Sequence, residues 1–167
     1  MMQRIIYVAV LLLIIQVGLT VALNRGDSRL DVKTPDTAFI EFTPNEITSI
    51  EITDSENQQL ILDKKDNSWL ISSTFSAPAE GALIKNLLDK LANAQQGFAV
   101  ATSSGAAGRF KTAKEGFENH ILLRKGDQPV ADIYLGTSAG MRRSHVRRAG
   151  EKEVYTIGVS SFELDTD

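Results

Sequence analysis

Gly136-Thr137-Ser138-Ala139-Gly140 has the spacing of a nucleophile elbow, G-x-S-x-G. In that motif a strand feeds a strained turn that exposes the serine, and a helix follows. An alternating apolar stretch does precede Ser138. The residues after it, Met141 to Arg148, read as another strand rather than a helix. The order of partners is also wrong, because an acid and then a histidine follow the serine in an α/β-hydrolase triad. Here no acid separates Ser138 from His145, and no histidine follows His145. The pentapeptide therefore reads as a glycine-rich hairpin connection. No catalytic residue is assigned. Ser138→Ala is expected to leave function intact, and an activity lost while the fold persists would reinstate the elbow.

Arg142, Arg143, Arg147 and Arg148 crowd a short stretch, with His145 among them. In an extended strand Arg143, His145 and Arg147 share one face, and Arg142 and Arg148 the other. A guanidinium group is a planar fork that fits carboxylate or phosphate. Two uses compete. One is a site for an anionic lipid headgroup, an acidic glycan or an acidic partner surface. The other, which is favoured, is a solvated strand edge whose charge discourages aggregation.

Other chemistry is thin. The chain has two histidines and no cysteine, so disulfides, thiolates and cysteine-held metal are excluded together. His120 lies beside an alternating stretch and reads as structural. There is no H-E-x-x-H and no calcium-loop spacing. No G-K-[ST] accompanies the glycines at 105 and 108, so no phosphate cradle is read there. Glu115 and Glu118 could do acid/base work, but any soluble surface supplies such pairs. No metal or cofactor site is assigned. The net charge of −3 implies neither nucleic acid nor an acidic surface as partner. Trp69 alternates with polar neighbours and reads as a core anchor rather than a ligand platform.

These residues need elements to position them. Ile50 and Ile52 alternate with polar residues, as do Leu60 and Leu62, then Trp69 and Ile71 beyond the turn signal Lys65-Asp66-Asn67. The pattern predicts a three-stranded antiparallel meander. Then the period changes. Ile84, Leu87, Leu88 and Leu91 recur at helical spacing behind Pro78, against a polar face of Lys85, Asn86, Asp89 and Lys90. One amphipathic helix packed on a core is expected. Residues 103–108 read as a small-residue loop. Alternation returns at Ile121 and Leu123, at Ile133 and Leu135, over 144–148 and over 153–157. Strands, one helix and more strands predict an α+β domain with mainly antiparallel sheet.

Residues 5–23 are almost unbroken apolar sequence, interrupted by Gln16, Gly18 and Thr20. About 20 such residues cross a bilayer as a helix. A cleaved signal peptide is the rival reading, with small residues at Thr20-Val21-Ala22, but its apolar region is typically only about 7–15 residues. A single-pass anchor is expected over 1–23, a polar linker over 24–36 and a folded domain over 37–167. Arg4 favours a cytoplasmic amino terminus, whereas Arg25, Arg29 and Lys33 argue the other way, so local charge leaves orientation open.

The order of segments resembles a known family. Ile47-Thr48-Ser49-Ile50-Glu51-Ile52 leads to Trp69-Leu70-Ile71. Pro78-Ala79 precedes the leucine-rich helix. Arg109-Phe110-Lys111, Gly116-Phe117, Leu135-Gly136-Thr137-Ser138 and Val154-Tyr155 follow. This resembles an uncharacterised family, a domain of unknown function, that is membrane-anchored and periplasmic and is often encoded beside gliding-motility-type ABC transporter components. The resemblance implies a cytoplasmic amino terminus and a periplasmic domain at the bacterial inner membrane. It implies a non-catalytic accessory or assembly subunit of an ABC-type export system, with permease or ATPase subunits as partners. A binding or sensor domain for an anionic envelope glycan, lipid or protein is the second expectation, and an envelope serine hydrolase the third. Two departures stand out. Glu80 occupies the helix-cap position, where asparagine or aspartate is more usual. The family pattern also runs on into a tryptophan-containing tail, so a last element is expected to be missing.

Overall fold

Alternating apolar residues form strands here because each strand buries one face and wets the other. The computed structural model describes residues 7, 12, 13, 15–17, 37–73 and 77–160. The chain divides into two compact units, Met1–Lys33 and Thr34–Asp167. In the first unit Tyr7, Leu12, Leu13, Ile15, Gln16 and Val17 are helical, and their side chains are exposed. Most of the anchor expected over 1–23, and all of the linker expected over 24–36, lies outside the described residues. Among the described residues no helix is long and apolar enough to cross a membrane.

The second unit is α+β and mainly antiparallel. Its strands are β1 (Thr37–Ala38), β2 (Ser49–Asp54), β3 (Gln59–Lys65), β4 (Ser68–Ile71), β5 (Ala77–Pro78), β6 (Gln95–Gln96), β7 (Asn119–Lys125), β8 (Gln128–Ser138), β9 (Ser144–Arg148) and β10 (Tyr155–Ile157). The helices are α1 (Gly81–Ala92) and the short α2 (Ala106–Arg109), with a 3-10 turn at Pro44–Glu46. An eight-stranded sheet runs in the order β10-β9-β8-β7-β2-β3-β4-β5, and β1 pairs with β6 in a separate ribbon. The expected meander is present as β2, β3 and β4. The turn between β3 and β4 puts Asp66 and Asn67 at φ 47° and 66°, the left-handed pair that suits a tight hairpin. The two groups of strands are joined by antiparallel pairing of β2 with β7, which matches Ile50 with Leu123 and Ile52 with Ile121.

One face of this sheet carries the core. Ile50, Ile52, Leu62, Ile121, Leu123, Ile133, Leu135 and Val146 are all buried there, and α1 adds Ile84, Leu88 and Leu91. Leu87, expected on the same stripe, is half-buried against them. Full burial of each such side chain is worth about 1.5–3 kcal/mol. Glu80 gives α1 no side-chain cap, as its identity implied. Residues 103–108 depart from the loop expected there. Ala106 is buried, and a turn of helix forms around it as α2.

Candidate functional site

β9 carries the arginine cluster between β8 and β10. Val146 pairs with Leu135 on one side and Tyr155 on the other. Ser144 and Val146 are buried on the core face. His145 and Arg147 therefore lie on the opposite face, and Arg148 returns to the core side. The strand begins at Ser144, so the alternation does not reach Arg142. That residue sits in the β8–β9 turn at φ 53° and is exposed. Arg143 is also exposed, and it donates to Thr156 Oγ1 at 2.7 Å.

The other two arginines are committed to the fold. Arg147 is buried, at 7% exposure. Its Nε donates to the Thr112 carbonyl at 2.6 Å, and Nη1 donates to the Glu151 carbonyl at 3.0 Å and the Arg148 carbonyl at 3.3 Å. The guanidinium carbon lies 4.9 Å from the centre of the Tyr134 ring. Arg148 donates to the Phe39 carbonyl at 2.9 and 2.6 Å and to Glu151 Oε2 at 2.8 Å, and it also bonds Gln96 Oε1. It covers the Phe39 ring at 4.3 Å. One guanidinium thus fastens the chain around Phe39 and the β6 ribbon to the sheet. The other fastens residue 112 and the turn at 151.

His145 Nδ1 lies 2.8 Å from the Thr137 carbonyl oxygen, which can only accept, so Nδ1 carries the hydrogen. Its ring packs against Phe110 at 4.3 Å, and the Arg109 guanidinium also lies over that aromatic at 4.7 Å. Further along the same face His120 bonds Asp132 at 2.7 Å and stacks on Tyr134 at 4.5 Å. Burial, with the Asp132 carboxylate adding and Arg147 opposing, holds the Tyr134 phenol above its ordinary value. Both histidines are internally bonded, as expected for His120. Thr112, Asp132 and Tyr134 complete the constellation without having stood out in the sequence, and Phe110 figures there only within the Arg109-Phe110-Lys111 segment. Only the period-2 pattern touches Asp132 and Tyr134. Nothing local pairs Thr112 with Arg147, which lies 35 residues away.

The G-x-S-x-G pentapeptide ends β8. Its serine exchanges hydrogen bonds with Gly140 at 3.3 and 3.4 Å, and a turn then leads into β9. The histidine addresses Thr137 rather than Ser138. The two glycines serve different ends. Gly140 has φ 113°, which a side chain resists. A Cβ on Gly136 would stand 1.9 Å from the Phe110 carbonyl oxygen and 2.5 Å from that of Lys111. Backbone crosses backbone there, and Thr137 N–H donates to the Phe110 carbonyl at 3.0 Å.

Among the described residues no group of three or more histidines and acids is placed to hold a metal ion. No curated protein and no solved structure matches the chain. A family model does match, over residues 69–167. That range takes in the Trp69-Leu70-Ile71, Pro78-Ala79, Arg109-Phe110-Lys111, Leu135-Gly136-Thr137-Ser138 and Val154-Tyr155 segments, and leaves out Ile47 to Ile52. With more than half of its length so matched, the chain belongs to the family described as a domain of unknown function, DUF4340.

Proposed function

We propose that this chain is a membrane-anchored, non-catalytic accessory or assembly subunit of an ABC-type export system. Residues 5–23 tether it to the bacterial inner membrane, with the folded domain in the periplasm and permease or ATPase subunits as partners. The observation that carries the reading is that apolar run, long enough at about 1.5 Å per residue to span a hydrocarbon core. The described residues within it are helical with exposed side chains, which suits contact with lipid. The resemblance drawn from the sequence supplies the transporter association and the orientation. The internal commitment of Arg147, Arg148, His120 and His145 suits a scaffold better than a reaction centre.

Membranes carrying the tagged full-length chain, solubilised in mild detergent, provide the test. A permease and its ATPase are expected in the eluate. A chain recovered in the soluble fraction, or eluting without transporter subunits, would end this reading.

A second reading rests on the exposure of Arg142 and Arg143 beside each other at the β8–β9 turn. These two groups could meet an anionic envelope glycan, lipid or protein. Arg147 is unsuitable for testing it, because its burial makes charge reversal a folding defect. The double variant Arg142→Glu, Arg143→Glu is expected to unfold within about 0.5 kcal/mol of wild type. Binding to anionic vesicles is expected to fall at least about tenfold, a difference near 1.4 kcal/mol. Unchanged binding would exclude the turn as the contact.

A further inference from the structure

The helix-bearing face of the sheet ends in an open cleft of about 340 Å3. Trp69 pairs with Lys64 across β4 and β3. Both lie on the core side, since Leu62 and Ile71, two residues along each strand, belong to that side. Trp69 packs against the core, as expected from its alternation, and it also lines the cleft. Gly81 and Lys85, one turn apart on α1, form the opposing wall, with Asn45 from the 3-10 turn and Asn67 from the β3–β4 hairpin at the ends.

We infer that this cleft binds an anionic sugar, with the sugar's C–H face on the Trp69 indole and its charge at Lys64 and Lys85. Two ammonium groups repel a cationic ligand. A wholly apolar ligand would strip water from the ammonium groups and carboxamides without replacing their hydrogen bonds. A bare anion would leave the indole unused. A C–H face, several hydroxyls and one negative charge together satisfy the wall, as in a uronic acid or a sugar phosphate. The size lies at the small end of ligand sites, which run about 300–1,000 Å3.

Gly81 keeps the cleft open. A Cβ placed there would meet only Trp69 Cδ1, at 4.0 Å. Glycine is a poor helix former, and no positive φ demands it at the start of α1. A longer side chain would begin within van der Waals contact of the indole. The wall's charge is available to a ligand. Lys85 is bonded to Asp89 at 2.5 Å, but the pair is exposed at 72% and 41%, and such pairs contribute little. The Lys64 ammonium reaches the Asn45 carbonyl only at 3.4 Å. The proposal does not depend on the transporter association.

The chain has one tryptophan, so its fluorescence reports this site alone. The full-length chain in detergent is titrated with glucuronate, glucose 1-phosphate, glucose and inorganic phosphate. A saturable change in emission is expected with one or both anionic sugars, at least about tenfold weaker binding with glucose, and no change with phosphate. A polyuronate that binds more tightly than the monomer identifies a glycan as the source, and the reverse order identifies a free sugar acid. Gly81→Leu is expected to melt at or above the wild-type temperature while losing the signal. Lys64→Gln with Lys85→Gln should reduce the anionic sugars to the level of glucose. The proposal is overturned if calorimetry and fluorescence both show no saturation up to about 10 mM. Equal binding of glucose, or undiminished binding by Gly81→Leu or by the double lysine variant, overturns it as well.

Discussion

Gly136→Ala is expected to lower the melting temperature by about 10 °C, corresponding to about 3 kcal/mol for a domain of this size. The cause is steric and has nothing to do with φ. Gly136 is not among the residues of positive φ, but its added carbon would stand 1.9 Å from one backbone oxygen and 2.5 Å from another. Those oxygens belong to Phe110 and Lys111, which cannot rotate away as a side chain could. The segment from 106 to 112 would have to lift from β8, breaking the 3.0 Å bond from Thr137 N–H to the Phe110 carbonyl. Phe110 would carry its contact with His145 away with it. Gly140→Ala serves as the comparison. Its Cβ would meet nothing within 4 Å, so its cost is conformational alone, about 1 kcal/mol. Thermal unfolding followed by circular dichroism separates the two. A Gly136→Ala protein melting within a degree of wild type would show that the crossing is looser than 1.9 Å requires.

Arg147→Met is expected to cost about 3 kcal/mol, although the volume is nearly kept. The loss lies in what stays behind. The carbonyls of Thr112, Glu151 and Arg148 each accept from this one guanidinium, and Thr112 is fully buried. Methionine donates to none of them. Arg147→Lys should recover part of the loss, because an ammonium restores the charge without the fork that reaches several acceptors at once. Denaturant unfolding gives the magnitude. Hydrogen exchange gives the place, since protection should fall first in residues 106–118 and in the turn at 149–152. If Arg147→Met and Arg143→Met destabilise equally, the buried bonds are not what sets Arg147 apart.

The local elements of this domain were legible because each is written in adjacent residues. Alternation at Ile50 and Ile52, or at Ile121 and Leu123, needs only the pleat of a strand to produce a buried face. Ile84, Leu88 and Leu91 need only the turn of a helix. The β3–β4 turn needs only two residues that tolerate left-handed φ. The loop expected at 103–108 failed for a tertiary reason. Alanine propagates a helix once it is buried, and Ala106 is buried although its neighbours in the chain are small residues.

What the sequence by itself determined was therefore the longer strands, the principal helix, the faces they bury and the α+β class, but not the short β1, β5 and β6 or α2. The same reading of periodicity put His145 and Arg147 on one face of β9 and Arg148 on the other. Only the tertiary structure decided which strands meet. The β2–β7 pairing joins residues some 70 positions apart, and closing so long a loop leaves no local mark. Only the tertiary structure, likewise, divided the arginine cluster into two exposed groups and two structural ones. A guanidinium is a donor wherever it lies, and its identity does not say whether a carbonyl from a distant segment will occupy it. The same holds for Gly136, whose glycine answers to a carbonyl 26 positions earlier in the chain. Sequence specifies what each residue can offer; the packing of remote segments decides which offers are taken up, because the partners' positions are set by long-range contacts rather than by neighbours in the chain.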